Sequence, residues 1–291
     1  MASFPGRQAG QPEAGQRGEN QRGFMEQQAG QQKTGPRTPE PVVYFVGAGP
    51  GDIELITVKG MRLLQRAAVI VYAGSLVNPE LLELGQGAEL IDSAPLCLED
   101  IVKVMAGRSR EGKLVVRLHS GDPSLFGAIK EQIAALRREG VGARVIPGVS
   151  SLAAAAAALP AELTVPGVSQ TVIITRAAGR TPVPEAEDIA ALAAHGATMA
   201  IFLSAGLAEQ VQKKLLEHYP PATPVAVVER ASWPGERVIR TSAGELAAVM
   251  EREGVTRTAM ILVGAALAQA GDESLLYASR FSHGYRSGQD E

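Results

Sequence analysis

A strand that breaks abruptly into alternating glycines constrains this chain more than any other feature. Val43, Tyr44, Phe45 and Val46 are strand formers, and Gly47, Gly49 and Gly51 follow at once within GAGPGD (47–52). A buried strand ending in a glycine-rich turn is how α/β proteins bring backbone close to a ligand. This turn matches neither common nucleotide loop. A phosphate-binding loop needs Gly-x-x-x-x-Gly-Lys-Ser/Thr, yet Asp52 stands five residues after Gly47. The dinucleotide fingerprint needs a glycine three positions after its second glycine, and counting from Gly49 that position is again Asp52. A carboxylate there repels a pyrophosphate, and Pro50 removes a backbone donor. The turn therefore suits a cationic or zwitterionic ligand. Taken alone, it also reads as a plain tight turn between a strand and a helix.

The rest of the ordered chain alternates strands with helices. Strands are expected at 42–46, 69–72, 113–118 and 144–146, and later at 171–175, 198–203, 225–229, 237–240 and 259–263. Helices are expected at 57–67, 80–84, 98–110, 153–158, 185–194, 207–218 and 243–252. Asn78-Pro79 and Asp122-Pro123 read as N-caps followed by proline at the first helical position. The alternation predicts an α/β fold of two lobes, each a mixed, mostly parallel sheet flanked by helices. The expected division is a disordered extension over 1–40, an N-terminal α/β domain over 41–160 and a C-terminal α/β domain over 161–291, with Pro160 and Pro166 breaking structure at the boundary. Residues 1–40 are rich in Gln, Gly, Arg, Pro and Glu and have too few aliphatic side chains to offset the entropy of ordering them.

Composition bounds the partners. A net charge of −3 gives no sign of nucleic-acid binding. No apolar run approaches the ~18 residues that suggest a membrane helix. The single cysteine, Cys97, rules out an internal disulfide, fits a reducing cytoplasm, and is expected to be a small buried hydrophobe. Aromatic residues are only 4% of the chain, so the core must be built mainly from Ala, Val, Leu and Ile.

Ligands of open α/β sheets sit beyond the carboxyl ends of strands. Four segments occupy that position: GAGPGD (47–52), HSGDPSLFG (119–127), PGVSS (147–151) and LSAGL (203–207). For Asp122, Ser150 and Ser151 simple helix capping is the competing reading, worth ~1 kcal/mol each. Capping and ligand contact are compatible, because a helix N-terminus points its N–H groups outward.

Those segments, with ERASWPGE (229–236) and TAMILVG (258–264) in the same order, resemble the tetrapyrrole methylases, S-adenosylmethionine-dependent enzymes of cobalamin and sirohaem synthesis. The resemblance runs from residue 42 to about 286. VYAGSLVNPELL (71–82), TRAAGRTPVPE (175–185) and ESLLYASRFSHGYR (273–286) are similar to the members that methylate carbon 11 of precorrin-4 and of cobalt-precorrin-4. The related uroporphyrinogen methyltransferases carry an aspartate after the tyrosine of the second strand; here that position is Ala73. The departure argues against uroporphyrinogen as substrate and leaves no general base there.

The resemblance implies S-adenosylmethionine folded into a cleft between two lobes, with S-adenosylhomocysteine as product. By motif position it implies cofactor contacts from Pro50, from Gly121, Asp122 and Leu125, from Ser150 and Ser151, and from Ser204, Ala231 and Thr258. It also implies a homodimer in the cytoplasm, a tetrapyrrole partner and no resident metal. The sulfonium already carries an activated methyl group, so no protein nucleophile is required, and none is evident. His119 beside the second loop reads as a structural histidine or one that orients substrate, and His195 and His218 as solvated helix-end residues. A multiply carboxylated substrate calls for basic residues at the cleft rim, for which Arg117, Arg176 and Arg180 are the candidates. Methylation at another corrin position, a nicotinamide oxidoreductase and a non-catalytic ligand sensor remain as alternatives.

Overall fold

In the computed structural model, residues 40–74, 76–268, 279, 281, 282 and 284–287 are described. The expected extension, apart from Glu40, lies outside them, as do His283 and most of the 273–286 motif. Residues 41–291 form one compact unit that carries two five-stranded sheets.

The first sheet contains β1 (Val42–Gly47), β2 (Val69–Tyr72), β3 (Glu89–Asp92), β4 (Val115–His119) and β5 (Gly142–Ile146), in the order β3-β2-β4-β1-β5. All four pairings are parallel. Helices α1 (Val58–Arg66), α2 (Glu80–Glu83), α3 (Leu98–Arg110) and α4 (Ile129–Arg138) connect them. Alternation along β1 sends Val43 and Phe45 to the core under α3 and α4, and Val46 to the core under α1 and α2. From β1 the chain crosses β4 to reach β2, whereas from β4 it crosses β1 to reach β5. The connections therefore diverge at the β1/β4 pair, the topological switch where an α/β sheet opens a crevice.

The second sheet contains β6 (Val172–Arg176), β7 (Thr198–Phe202), β8 (Pro224–Glu229), β9 (Arg237–Ser242) and β10 (Ala259–Val263), in the order β6-β7-β10-β8-β9. It is mixed: β6 and β7 run parallel, while β7–β10, β10–β8 and β8–β9 are antiparallel. The turn between β8 and β9 is too short for a crossover, so that pair has to be antiparallel. Helices α6 (Ile189–Ala193), α7 (Ala208–Leu215) and α8 (Leu246–Arg252) cover one face around Met199, Ile201, Val227 and Ile261. The alanine-rich α5 (Ser151–Ala158) covers the other, packing Ala154, Ala155 and Leu159 on Ala200, Val228, Met260 and Leu262. Small side chains let this helix lie close to the strands. Its packing joins it to the second sheet although its cap belongs to the loop after β5.

Several elements differ from expectation. The strand β3 has only two apolar residues between acids, and as an edge strand it leaves Leu90 48% exposed, so nothing in its pattern announces it. A helix opening at Pro123 and capped by Asp122 is expected; α4 begins at Ile129 instead. In the structure Asp122 closes a turn by accepting the Ser124 N–H at 2.8 Å, and two left-handed residues, Phe126 and Ala128, intervene before Ile129. The segment 185–194 divides at Asp188, which caps α6 by accepting the Ala190 N–H at 3.0 Å. Cys97 is exposed rather than buried, because it precedes the first turn of α3.

Candidate functional site

The loops after β1, β4 and β5 converge so tightly that only backbone fits between them. Gly49 and Gly121 exchange backbone hydrogen bonds, at 3.3 Å from the Gly49 N–H and 2.7 Å from the Gly121 N–H. A Cβ on Gly47 would lie 2.6 Å from the Gly148 Cα, and one on Gly148 only 2.3 Å from the Gly121 carbonyl oxygen. Gly121 also holds φ at +60°, where a side chain is strained. The four glycines thus form a single closed junction at the carboxyl ends of adjacent strands.

Asp122 ties the junction together. One carboxylate oxygen accepts the Gly148 N–H at 2.8 Å, and the other accepts the Ser124 N–H and hydroxyl. Burial alone raises the Asp122 carboxyl, but the hydrogen bonds from the Ser124 hydroxyl and from the Gly148 and Ser124 amides outweigh it and hold the group below its ordinary value. The carboxylate is therefore anionic at neutral pH. Ser150 caps α5 by accepting the Leu152 N–H at 3.2 Å, and Ser151 is its first residue.

This junction forms one wall of a cleft of about 890 Å³. Pro50, Gly121, Asp122, Leu125, Ser150 and Ser151 line it from the first sheet's loops, and Ala231 and Thr258 line it from the second sheet's. Eight of the nine residues expected to contact a cofactor are thus brought to one cleft. The ninth, Ser204, is fully buried and stands behind the wall. Its hydroxyl accepts the Ala177 N–H at 2.8 Å and donates to the Phe202 carbonyl at 2.6 Å, so it latches the β6 and β7 ends together. Six of the seven non-glycine residues with positive φ among the described residues (Phe126, Ala128, Leu203, Arg230, Ser232 and Thr258) lie in loops that bound this cleft. Left-handed backbone at such positions is costly and collects where a loop must present itself to a ligand.

The basic residues come out differently from expectation. Arg117 is 5% exposed, inside the first lobe, donating to the Gln132 side-chain carbonyl at 3.1 Å and the Ser93 hydroxyl at 2.9 Å. Burial lowers its pKa to about 10. As a mid-strand residue of β4 it faces the core and not a rim. Arg176 spends its guanidinium on the Ala177, Thr181 and Pro182 carbonyls, bracing its own loop. Arg180 is exposed on that loop and does not line the cleft. The arginines that do line it are Arg230 and Arg257, neither with an ion pair among the described residues. Both sit in short loops before or after strands of the second sheet, where sequence alone does not distinguish them from solvated surface residues.

His119 ends β4 in the core, stacked on Phe45 at 5.8 Å between ring centroids. Burial, with a smaller contribution from the nearby Arg117 charge, lowers its pKa to about 3. It is a neutral structural histidine and is not among the residues lining the cleft. His195 and His218 are exposed near helix ends. No cluster of His, Cys, Asp or Glu among the described residues has the spacing of a metal site.

The residues present fit S-adenosylmethionine. The glycine junction leaves no room for a Cβ at Gly47 or Gly148, its charged side chain Asp122 is an ionised carboxylate, and Pro50 has no N–H where a phosphate would want a donor. Fold and site together define a two-lobed α/β enzyme with a small-molecule cleft at the switch point of its parallel sheet. The chain belongs to the tetrapyrrole (corrin/porphyrin) methylases, whose family profile matches residues 42–247. It is 49% identical over 252 residues to a cobalt-precorrin-4 C(11)-methyltransferase of Priestia megaterium, covering 84% of this chain and 98% of that one. It is also 49% identical to a precorrin-4 C(11)-methyltransferase of Pseudomonas aeruginosa, covering 85% and 99%. Among solved structures, a cobalt precorrin-4 methyltransferase superposes with TM-score 0.78 at 50% identity, covering 80% of this chain and 98% of its own. A uroporphyrin-III C-methyl transferase of Thermus thermophilus, solved with S-adenyl homocysteine, gives TM-score 0.65 at 31% identity, covering 80% and 96%.

Proposed function

We propose that this chain transfers a methyl group from S-adenosylmethionine to carbon 11 of precorrin-4, a step of cobalamin biosynthesis. The observation that carries the reading is the pair of relatives at 49% identity, matched over 98% and 99% of their own lengths and each named for methylation at that carbon. When bound, the cofactor supplies an activated methyl group on a sulfonium and leaves as S-adenosylhomocysteine. The protein's part is to bind, to orient and to keep water out. Pro50, Gly121, Asp122, Leu125, Ser150, Ser151, Ala231 and Thr258 form the cofactor wall in this reading, with Ser204 holding that wall from behind. Arg230 and Arg257 supply the positive charge that a polycarboxylated acceptor needs.

Relatives named for cobalt-precorrin-4 and for precorrin-4 both stand near 50% identity, at 49–52% and 45–50%, so both acceptors belong in the assay. A homodimer and a cytoplasmic location are part of the same reading and rest on the family resemblance; light scattering on the purified chain tests the first. Incubation with isotopically labelled S-adenosylmethionine and metal-free or cobalt-bearing precorrin-4, followed by mass and ring-position analysis, tests the reaction. One added methyl on carbon 11 is expected. Transfer to a different carbon, or binding without transfer, would replace this reading with the other-position methylase or the ligand sensor.

A further inference from the structure

The turn after β8 reaches across the cleft and grips the glycine-rich turn after β1. Trp233 donates its indole N–H to the Pro50 carbonyl at 2.8 Å, and the Ser232 hydroxyl accepts the Asp52 backbone N–H at 3.0 Å. These bonds join residues 183 and 180 positions apart in the chain. The indole also packs where a side chain is missing: a Cβ on Gly51 would lie 2.2 Å from the Trp233 Cδ1. Opposite, the Asn78 side-chain amide donates to the Gly51 carbonyl at 2.9 Å. Pro50, Gly51 and Asp52 are therefore held from both lobes, and the main contacts on the far side come from Ser232 and Trp233.

The gripping turn is itself held in an uncommon shape. Arg230 and Ser232 take φ of 53° and 65°. The Glu236 carboxylate accepts the Ser232 N–H at 2.6 Å, and the Arg230 carbonyl accepts the Trp233 N–H at 2.9 Å. The Arg230 guanidinium lies 5.8 Å over the indole. Backbone cost of this kind persists only where the surroundings over-determine it. A Gly-Pro-Gly turn has almost no side chain with which to order itself, so its freedom has to be removed by something else, before the ligand arrives or at the ligand's expense.

We infer that Ser232 and Trp233 are positioning residues for the methyl-donor side of the cleft. They fix the Pro50–Asp52 turn so that the wall carrying Pro50 is formed in the ligand-free protein. The inference rests on the functional reading above and adds to it a role for the ERASWPGE motif. The residues act through the turn and not through the reacting atoms. Their loss therefore weakens cofactor binding and leaves the chemical step intact once the cofactor is saturating.

The test uses the full chain and S-adenosylhomocysteine as probe. Calorimetric titrations of wild type, Trp233→Phe and Ser232→Ala are compared, with circular dichroism and melting of each ligand-free protein. Affinity should fall about tenfold in W233F, equivalent to about 1.4 kcal/mol, and by less in S232A. The KM for S-adenosylmethionine should rise in step, while kcat and the KM for the tetrapyrrole stay near wild type. A residue with only a structural role would lower the melting temperature and leave the affinity of the folded protein alone. If W233F does not fold, S232A and Gly51→Ala carry the test; the latter displaces the indole from the other side. Folded variants that bind the probe within roughly twofold of a binding-competent wild type overturn the clasp alone. A wild type that does not bind the probe overturns the functional reading and the clasp with it.

Discussion

Replacing Gly148 by alanine puts the glycine junction under the most direct strain. The new Cβ would stand 2.3 Å from the Gly121 carbonyl oxygen and 2.8 Å from the Gly47 Cα. Ordinary contact begins at 3.4 Å, so the loops must part by about 1 Å to admit it. Both obstacles are backbone, so no rotamer change relieves them. Gly148 does not use positive φ, which leaves steric overlap as the whole of the penalty. Overpacking costs about 1–3 kcal/mol, and weakening the charge-assisted bond from the Gly148 amide to Asp122 adds about 1 kcal/mol. At roughly 2–4 °C per kcal/mol for a domain of this size, the melting temperature should fall by about 4–16 °C. A displacement of about 1 Å in a positioned site costs about 100-fold in rate, so kcat/KM should fall by that order. Differential scanning calorimetry, titration with S-adenosylhomocysteine and steady-state kinetics read the three effects. Gly107→Ala is the control: it lies within α3 with nothing within 4 Å of its Cβ, and alanine there should stabilise by about 0.5–1 kcal/mol. A G148A protein with wild-type melting and kinetics would refute the reasoning.

Other outcomes follow from individual side chains. Arg117→Ala leaves Gln132 and Ser93 without their donor in the core and should destabilise by about 3 kcal/mol in chemical denaturation, with probe affinity unchanged. His119 is held neutral down to a pKa of about 3, against 6.5 when unfolded. The unfolded chain therefore takes up a proton that the native one refuses, and stability present in full above pH 6.5 is lost progressively as pH falls toward 3. Denaturation curves of His119→Gln should show a shallower acid limb over that window. Arg230→Ala and Arg257→Ala should each raise the KM for the tetrapyrrole about tenfold, since a charge-assisted hydrogen bond contributes about 1.5–3 kcal/mol, and Arg257→Ala, which does not touch the Trp233 turn, should leave probe affinity as it was.

Much of the fold and part of the site were legible in the sequence because their signals are local. A strand running into glycines, a serine before an alanine run, and a proline where a donor is needed each act through neighbours in the chain. Such features placed β1, β4, β5 and the loops around Asp122 and Ser150 correctly. Where the sequence reading failed, the determinant was distant or weak. The strand β3 exists because it pairs with β2, not because Leu90 and Ile91 make a pattern. Asp122 has the chemistry of a helix cap, but its second oxygen is taken by Gly148, 26 residues away, and the helix starts later. Arg117 follows two valines at a strand end and reads as a rim residue; Gln132 on α4, whose position the sequence did not fix, draws it into the core. The grip of Trp233 on Pro50 spans almost two-thirds of the chain, and no spacing rule reaches that far.

Whether the glycine junction and the loops facing it make the pocket for the methyl donor is read from a crystal structure of the chain grown with S-adenosylhomocysteine. The ligand should lie against Pro50, Gly121, Asp122 and Ser150, with the Trp233 indole still bonded to the Pro50 carbonyl. Density for the ligand anywhere else on the molecule, with the junction bare at saturating concentration, would contradict that placement.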